Sequence, residues 1–277
     1  MKRTTQFATF IAVCLLAGQT AFAQPSGPGT KNIFRAGAGV GQYMGLDLQY
    51  SPNLYQVHNV NLDLGFQHNN GNGIFLTGLK LSMGAVHDIG KSVSTIFITD
   101  TDFNGNDGVE THKLSFSQMS VNFEAGYLHQ VPSPVENTRF MAGGSIEENF
   151  TYTPAVMYPG TINYLSANAR VRADFMLNNG KRLSAGLAFP AVALVTRMPY
   201  HNSPVFPDKN NLKAYFTGNN NVETVNHFQN IKASVRYEFF NSENLSMDVT
   251  LEGSWMHYSK PEHLTSAGGR VSLGISF

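Results

Sequence analysis

From about residue 33 onward, the apolar residues of this chain recur at every second position. They never form a run of about 18 or more, the length a membrane-spanning helix needs. The last stretch, AGGRVSLGISF, shows the pattern plainly. Val271, Leu273, Ile275 and Phe277 share one parity, and Arg270, Ser272, Gly274 and Ser276 share the other. Successive side chains of a strand point to opposite faces, so this segment is a strand with one apolar and one polar face. Nine earlier segments repeat it. Val60, Leu62, Leu64 and Phe66 oppose Asn59, Asn61, Asp63 and Gln67, and Leu165, Ala167, Ala169 and Val171 oppose Ser166, Asn168, Arg170 and Arg172. A segment over 183–189 has the same apolar parity but a weak polar face.

Composition sharpens this reading. Only 14% of residues are charged, against roughly 25% in an average soluble domain. The apolar surface is therefore dealt out residue by residue, not gathered into blocks. Lys and Arg balance Asp and Glu at 19 each. With no basic surplus, the sequence gives no reason to expect a nucleic-acid partner.

The first residues read as an export signal. Lys2 and Arg3 precede a mostly apolar stretch, Phe7 to Gly18, and Ala21-Phe22-Ala23 supplies a small-x-small cleavage pattern. The only cysteine, Cys14, lies inside this segment, so the exported chain carries no thiol chemistry. The expected organisation is a signal peptide over 1–23, a short segment over 24–32 and a barrel over 33–277.

Connections between the segments alternate in length. NNGNG (69–73), VPSPVEN (131–137), NNGKR (178–182) and NSEN (241–244) are turn-like, while 86–113, 151–161 and 198–227 are long. Short turns on one side and long loops on the other are the layout of an outer-membrane barrel. The expected fold is all-β, a single antiparallel transmembrane barrel of about ten strands. The stretch 86–113 leaves room for an extra hairpin, which would make twelve. Ten is even, so both termini fall on the short-turn, periplasmic side.

On the inward parity, Arg35, Lys80, Arg139, Arg170, Arg172, Lys232, Arg236 and Arg270 stand against Asp47, Asp63, Glu124, Glu147, Asp174, Glu238, Asp248 and Glu252. Eight against eight predicts a narrow lumen whose charges neutralise one another. A charge on the lipid face costs roughly 2–4 kcal/mol near mid-membrane, which explains why that parity is nearly free of them. Tyr50, Tyr127, Tyr164, Tyr237 and Trp255 sit towards strand ends, where aromatic girdles belong. The glycines of GAGVG (37–41) lie within a strand pattern and lack the spacing of a dinucleotide loop. They are read as making room for large neighbours or letting the wall curve.

Signal peptide, ten alternating segments and a C-terminal RVSLGISF ending in Phe277 together resemble bacterial outer-membrane β-barrels. The resemblance implies that Phe277 belongs to a terminal signal read by the barrel-assembly machinery, and that outer-membrane lipid surrounds the wall. It covers the class, not a family within it. Asp100 and Asp102 resemble one half of the omptin protease site. The later loop offers His201, Asp208 and His227 without the spacing of the other half, so a solvated loop is the reading taken. HYS (257–259) resembles the His-x-Ser of lipid A 3-O-deacylases, with Glu262 the nearest acid. Lys260 stands where that family usually has Asn, and the reading taken is a pair of polar residues at the water interface.

The sequence therefore commits no residue to catalysis and no cofactor or metal. It predicts a barrel of structural or binding type with long outer loops. A deacylase-like hydrolase using His257, Ser259 and Glu262, or a small pore, is the alternative.

Overall fold

A computed structural model of the chain describes residues 31–48, 51–89, 95–101, 107–113, 116–133, 135–153, 160–177, 180–197, 220–242 and 245–277. The segment read as a signal peptide and Tyr50 lie outside these residues. The strands, in chain order, are β1 (Lys31–Asp47), β2 (Ser51–Asn69), β3 (Gly73–Asp88), β4 (Thr95–Thr101), β5 (Asp107–Lys113), β6 (Phe116–Val131) and β7 (Thr138–Thr153). They continue as β8 (Gly160–Met176), β9 (Arg182–Arg197), β10 (Asn220–Thr224), β11 (Phe228–Asn241), β12 (Ser246–Tyr258) and β13 (Leu264–Ser276).

Every neighbouring pair is antiparallel, and the sheet closes on itself. β8 pairs with β9, β9 with β11, and β13 with β1. β10 and β11 both lie along β9, β10 against Val192–Thr196 and β11 against Arg182–Ala188, so together they form one wall interrupted by a turn. The barrel has ten walls. β4 and β5 pair only with each other, as a hairpin within the long loop after β3. The extra hairpin for which the sequence leaves room exists, but its strands do not join the barrel sheet.

The first wall begins at Lys31, two residues earlier than the boundary drawn from the sequence, and β2 begins at Ser51. A tilted strand needs only about 9–11 residues to cross a bilayer's hydrocarbon core. The 19 residues of β2 exceed that and carry the wall well beyond it.

The turn between β2 and β3 shows how the short side is made. Asn69 Oδ1 accepts from Gly71 N and Asn70 Oδ1 accepts from Asn72 N, both at 3.1 Å, while Gly71 takes a positive φ of 85° that suits glycine. At the same end β1 and β13 close with reciprocal backbone hydrogen bonds between Phe34 and Phe277, at 2.8 and 2.9 Å. The Phe277 ring stacks on Phe34, which also meets Phe66.

Burial is inverted relative to a soluble domain. Val40, Val60, Leu62, Leu64, Met83 and Leu273 are exposed on the outside, while Asn61, Asp63, Glu147, Asp174, Asp248 and Arg270 are buried inside. Two apolar clusters also fill the interior: Ile74, Leu76, Leu128 and Met141 between β3, β6 and β7, and Ile162, Tyr164, Val195, Phe228 and Tyr258 towards the long-loop end. Tyr164 is 4% exposed and points inward, so it is a lumen residue and not part of the outer aromatic belt. Among the described wall residues Glu148 is the one carboxylate on the outward parity, and it is exposed.

Candidate functional site: a lumen divided by ion pairs

Inward positions bring charges from distant strands together. Arg35 of β1 forms a two-pronged contact with Asp248 of β12, Nε to Oδ2 at 2.9 Å and Nη2 to Oδ1 at 2.7 Å. Planar guanidinium and planar carboxylate match in this geometry, which makes such pairs directional as well as strong. The strand beside it leaves the space. A Cβ added at Gly274 would lie 2.4 Å from Arg35 Nη2. Gly39 packs against β13 so closely that its Cβ would meet Val271 O at 2.2 Å.

Arg270 of β13 donates to Asp63 of β2 at 2.8 Å and to Glu252 of β12 at 2.8 Å. Lys80 of β3 reaches the same Glu252, 2.9 Å from each carboxylate oxygen. Lys80 and Glu252 sit four walls apart in the sheet, so this contact crosses the interior. A second crossing runs from Lys232 of β11 to Glu147 of β7. Glu147 also accepts from Asn122 at 2.6 Å, Tyr164 at 2.9 Å and Asn168 at 3.2 Å, and Asn230 donates to the Tyr164 oxygen at 2.9 Å. A carboxylate taken out of water is tolerable only when its lone pairs are matched in this way.

These crossings split the lumen. An inner cavity of about 630 Å³ opens at the short-turn end, and an outer cavity of about 400 Å³ lies on the long-loop side. Lys80, Glu252 and Arg270 border both, so the ion-paired layer is the floor of one and the ceiling of the other. The outer cavity mixes neutral amides and hydroxyls, among them Asn59, Asn61, Gln118 and Asn149, with apolar side chains such as Val57, Ile162 and Met256. The inner one is dominated by arginine.

The remaining charges singled out in the sequence take these places. Glu124 meets Arg170 and accepts from Ser145 at 2.8 Å, Arg172 donates to Asp174 at 2.7 Å, and Arg139 donates to Asn69 at 3.3 Å near the β2–β3 turn. Asp47 pairs with Arg197, and Glu238 with Arg182. Arg236 donates from Nε to Thr250 at 3.3 Å.

Arg182, Arg197 and Glu223 are inward charges that the sequence reading misses, so the balance of eight against eight is incomplete. Glu223 pairs with Lys260 at 3.1 Å. Arg197 also ties the β12–β13 connection to the wall, donating to the backbone carbonyls of Lys260 at 3.0 Å and Glu262 at 2.5 Å. For Arg197 the cause of the omission is a bulge, whereas Arg182 falls in the turn-like stretch 178–182 and Glu223 in the long stretch 198–227. Ala167 faces Val192 while Asn168 faces Pro190, so Ala191 is an extra residue that reverses the inward parity of β9. Inward positions become Ala193, Val195 and Arg197 beyond it.

His257 and Ser259 do not pair with each other. His257 lies on the outward side of β12, its Nδ1 2.9 Å from Thr265 Oγ1 and its ring between Trp255 and His263. Ser259 instead contacts His227 Nδ1 at 3.0 Å, an exposed pair bridging the outer ends of β11 and β12. Glu262 supplies its backbone carbonyl to Arg197 and is not seen to orient an imidazole. Asp100 falls on β4, while Asp102, His201 and Asp208 lie outside the described residues. Among the described residues, no group of three His, Cys, Asp or Glu side chains is placed to hold a metal ion.

No family model matches the chain, and no curated protein matches it. Solved structures do. The outer membrane protease OmpT from Escherichia coli aligns over 90% of this chain and 96% of its own, at 7% identity and a TM-score of 0.48. The translocator domain of the autotransporter NalP from Neisseria meningitidis aligns over 99% and 97%, at 10% identity and a TM-score of 0.42. The toluene transporter TodX from Pseudomonas putida aligns over 92% and 91%, at 8% identity and a TM-score of 0.34. At such values no activity passes from them to this chain.

Proposed function

We propose that this chain is an integral outer-membrane barrel of structural or binding type whose lumen does not conduct. The observation that carries the reading is the ion-paired layer in which Lys80–Glu252 and Lys232–Glu147 cross the interior and Arg270–Asp63 joins them. Opening it would strand charges in a low-dielectric interior, and breaking a buried pair costs about 3–5 kcal/mol. The membrane assignment is supported by the apolar outer face, the polar lumen and a wall with no sheet edge, since a spanning chain must pair all its backbone groups internally. Short turns and both barrel termini share one end, which is the periplasmic end on this reading. Lipid of the outer membrane then contacts the outward residues, and Phe277 presents the terminal strand to the barrel-assembly machinery.

Epitope tags test the orientation. A tag between β4 and β5 should be labelled on intact cells, and a tag in the β6–β7 turn should be labelled only after permeabilisation. The reverse pattern would reject the assignment. Lipid A from expressing cells should be unchanged by mass spectrometry. Loss of one 3-O-linked acyl chain, abolished by Ser259→Ala, would replace this reading with the hydrolase.

A further inference from the structure

The inner cavity holds more cations than its carboxylates can match. Six of the cations that line it each have a carboxylate partner: Arg35–Asp248, Lys80–Glu252, Arg270–Asp63, Arg170–Glu124, Arg172–Asp174 and Arg182–Glu238. The seventh is Arg236. Its nearest carboxylate oxygen is Asp248 Oδ1 at 3.8 Å, and that oxygen is already held by Arg35 at 2.7 Å. Among the described residues its only close hydrogen bond runs from Nε to Thr250, and none of them engages the terminal fork of the guanidinium. Arg35, Arg172 and Arg182 all act on it as like charges. At the cavity mouth Lys31 adds a further positive charge.

From this geometry we infer a binding site for a small oxyanion, a phosphate or carboxylate group carried by a solute reaching the short-turn end, with Arg236 as its principal anchor. A positive group in a low-dielectric wall, surrounded by like charges and facing a cavity, is stabilised by an incoming anion more than an exposed arginine would be. The guanidinium fork suits the paired oxygens of both phosphate and carboxylate. The cavity, at about 630 Å³, takes a solute the size of a sugar phosphate. The ion-paired layer above it makes the site a dead end, so the ligand binds and leaves by the same mouth.

This inference deepens the binding-type reading but is measured without a membrane. Equilibrium dialysis of the full chain in detergent micelles with radiolabelled inorganic phosphate should show saturable binding near one per chain. Arg236→Gln should weaken it at least tenfold, Arg236→Lys should retain part of it, and Lys260→Gln, a cation at the long-loop end, should leave it unchanged. Heat-modifiable migration of each variant shows that it is folded. Competition by acetate as effective as by phosphate would show a site that takes either oxyanion, and competition by phosphate alone would assign it to phosphate groups. Either result supports the site. Absence of saturable binding by both anions, or equal binding by folded Arg236→Gln, overturns it. Neither failure touches the closed-barrel reading, which rests on tag exposure and conductance.

Discussion

The carboxylate of Glu147 is 2% exposed and accepts from Asn122, Tyr164, Asn168 and Lys232. Removing it leaves a lysine and a tyrosine hydroxyl facing each other across the lumen. Because Lys232 remains about a third exposed, the loss should fall at the low end for a buried pair, about 3 kcal/mol for Glu147→Ala in urea-gradient unfolding. A change below about 1 kcal/mol would mean that the crossing is not structural. Glu148, one position on, makes the opposite case. It is an exposed carboxylate on the outer face, where charges are costly in lipid, though less for acids than for Lys or Arg. Glu148→Leu should stabilise the bilayer-folded protein by about 1 kcal/mol, and a loss of stability would show that this face is not against lipid. Gly274 sets a third residue-scale test. Gly274→Val would drive a side chain into the Arg35 guanidinium and should destabilise by more than about 1 kcal/mol, whereas the same change at Gly253, whose Cβ meets nothing nearer than 3.9 Å, should be mild.

At the scale of elements, most walls were legible because the side-chain period of two is a direct consequence of strand geometry. Signal was lost where the period breaks. On β9 the weak polar face, Ser184, Gly186 and Ala188, gives little charge to follow, and the bulge at Ala191 then reverses parity, so Arg197 has the apolar parity of 183–189 and drops out of the inward count. Tyr164 looked like a girdle residue because it lies at a strand end, but its parity is inward and Glu147 and Asn230 take its hydroxyl. Contacts such as Ser259–His227, or Lys80–Glu252 across four walls, depend on closure and register that local pattern does not carry. The bulge yields a prediction. Deleting Ala191 would remove the bulge and keep Ala193, Val195 and Arg197 on the inner face, so the variant should retain heat-modifiable folding, and its loss would contradict the bulge assignment. The terminal strand yields another. Phe277 stacks on Phe34 and completes the seam, so Phe277→Asp should impair insertion while leaving export intact, and normal amounts of folded protein in the outer membrane would contradict its role.

For the whole molecule, the account depends on one claim, that ion pairs reaching across the lumen make a closed layer between two blind cavities. About eight strands enclose a space that side chains just fill, and ten enclose only slightly more, so a few long charged residues suffice to close it. The apolar clusters at either end narrow it further. Single-channel recording of the purified protein in planar bilayers tests this most directly. The account predicts no stable conductance steps from the wild-type protein over a range of voltages. A steady conductance of porin size would contradict it and make the lumen a pore.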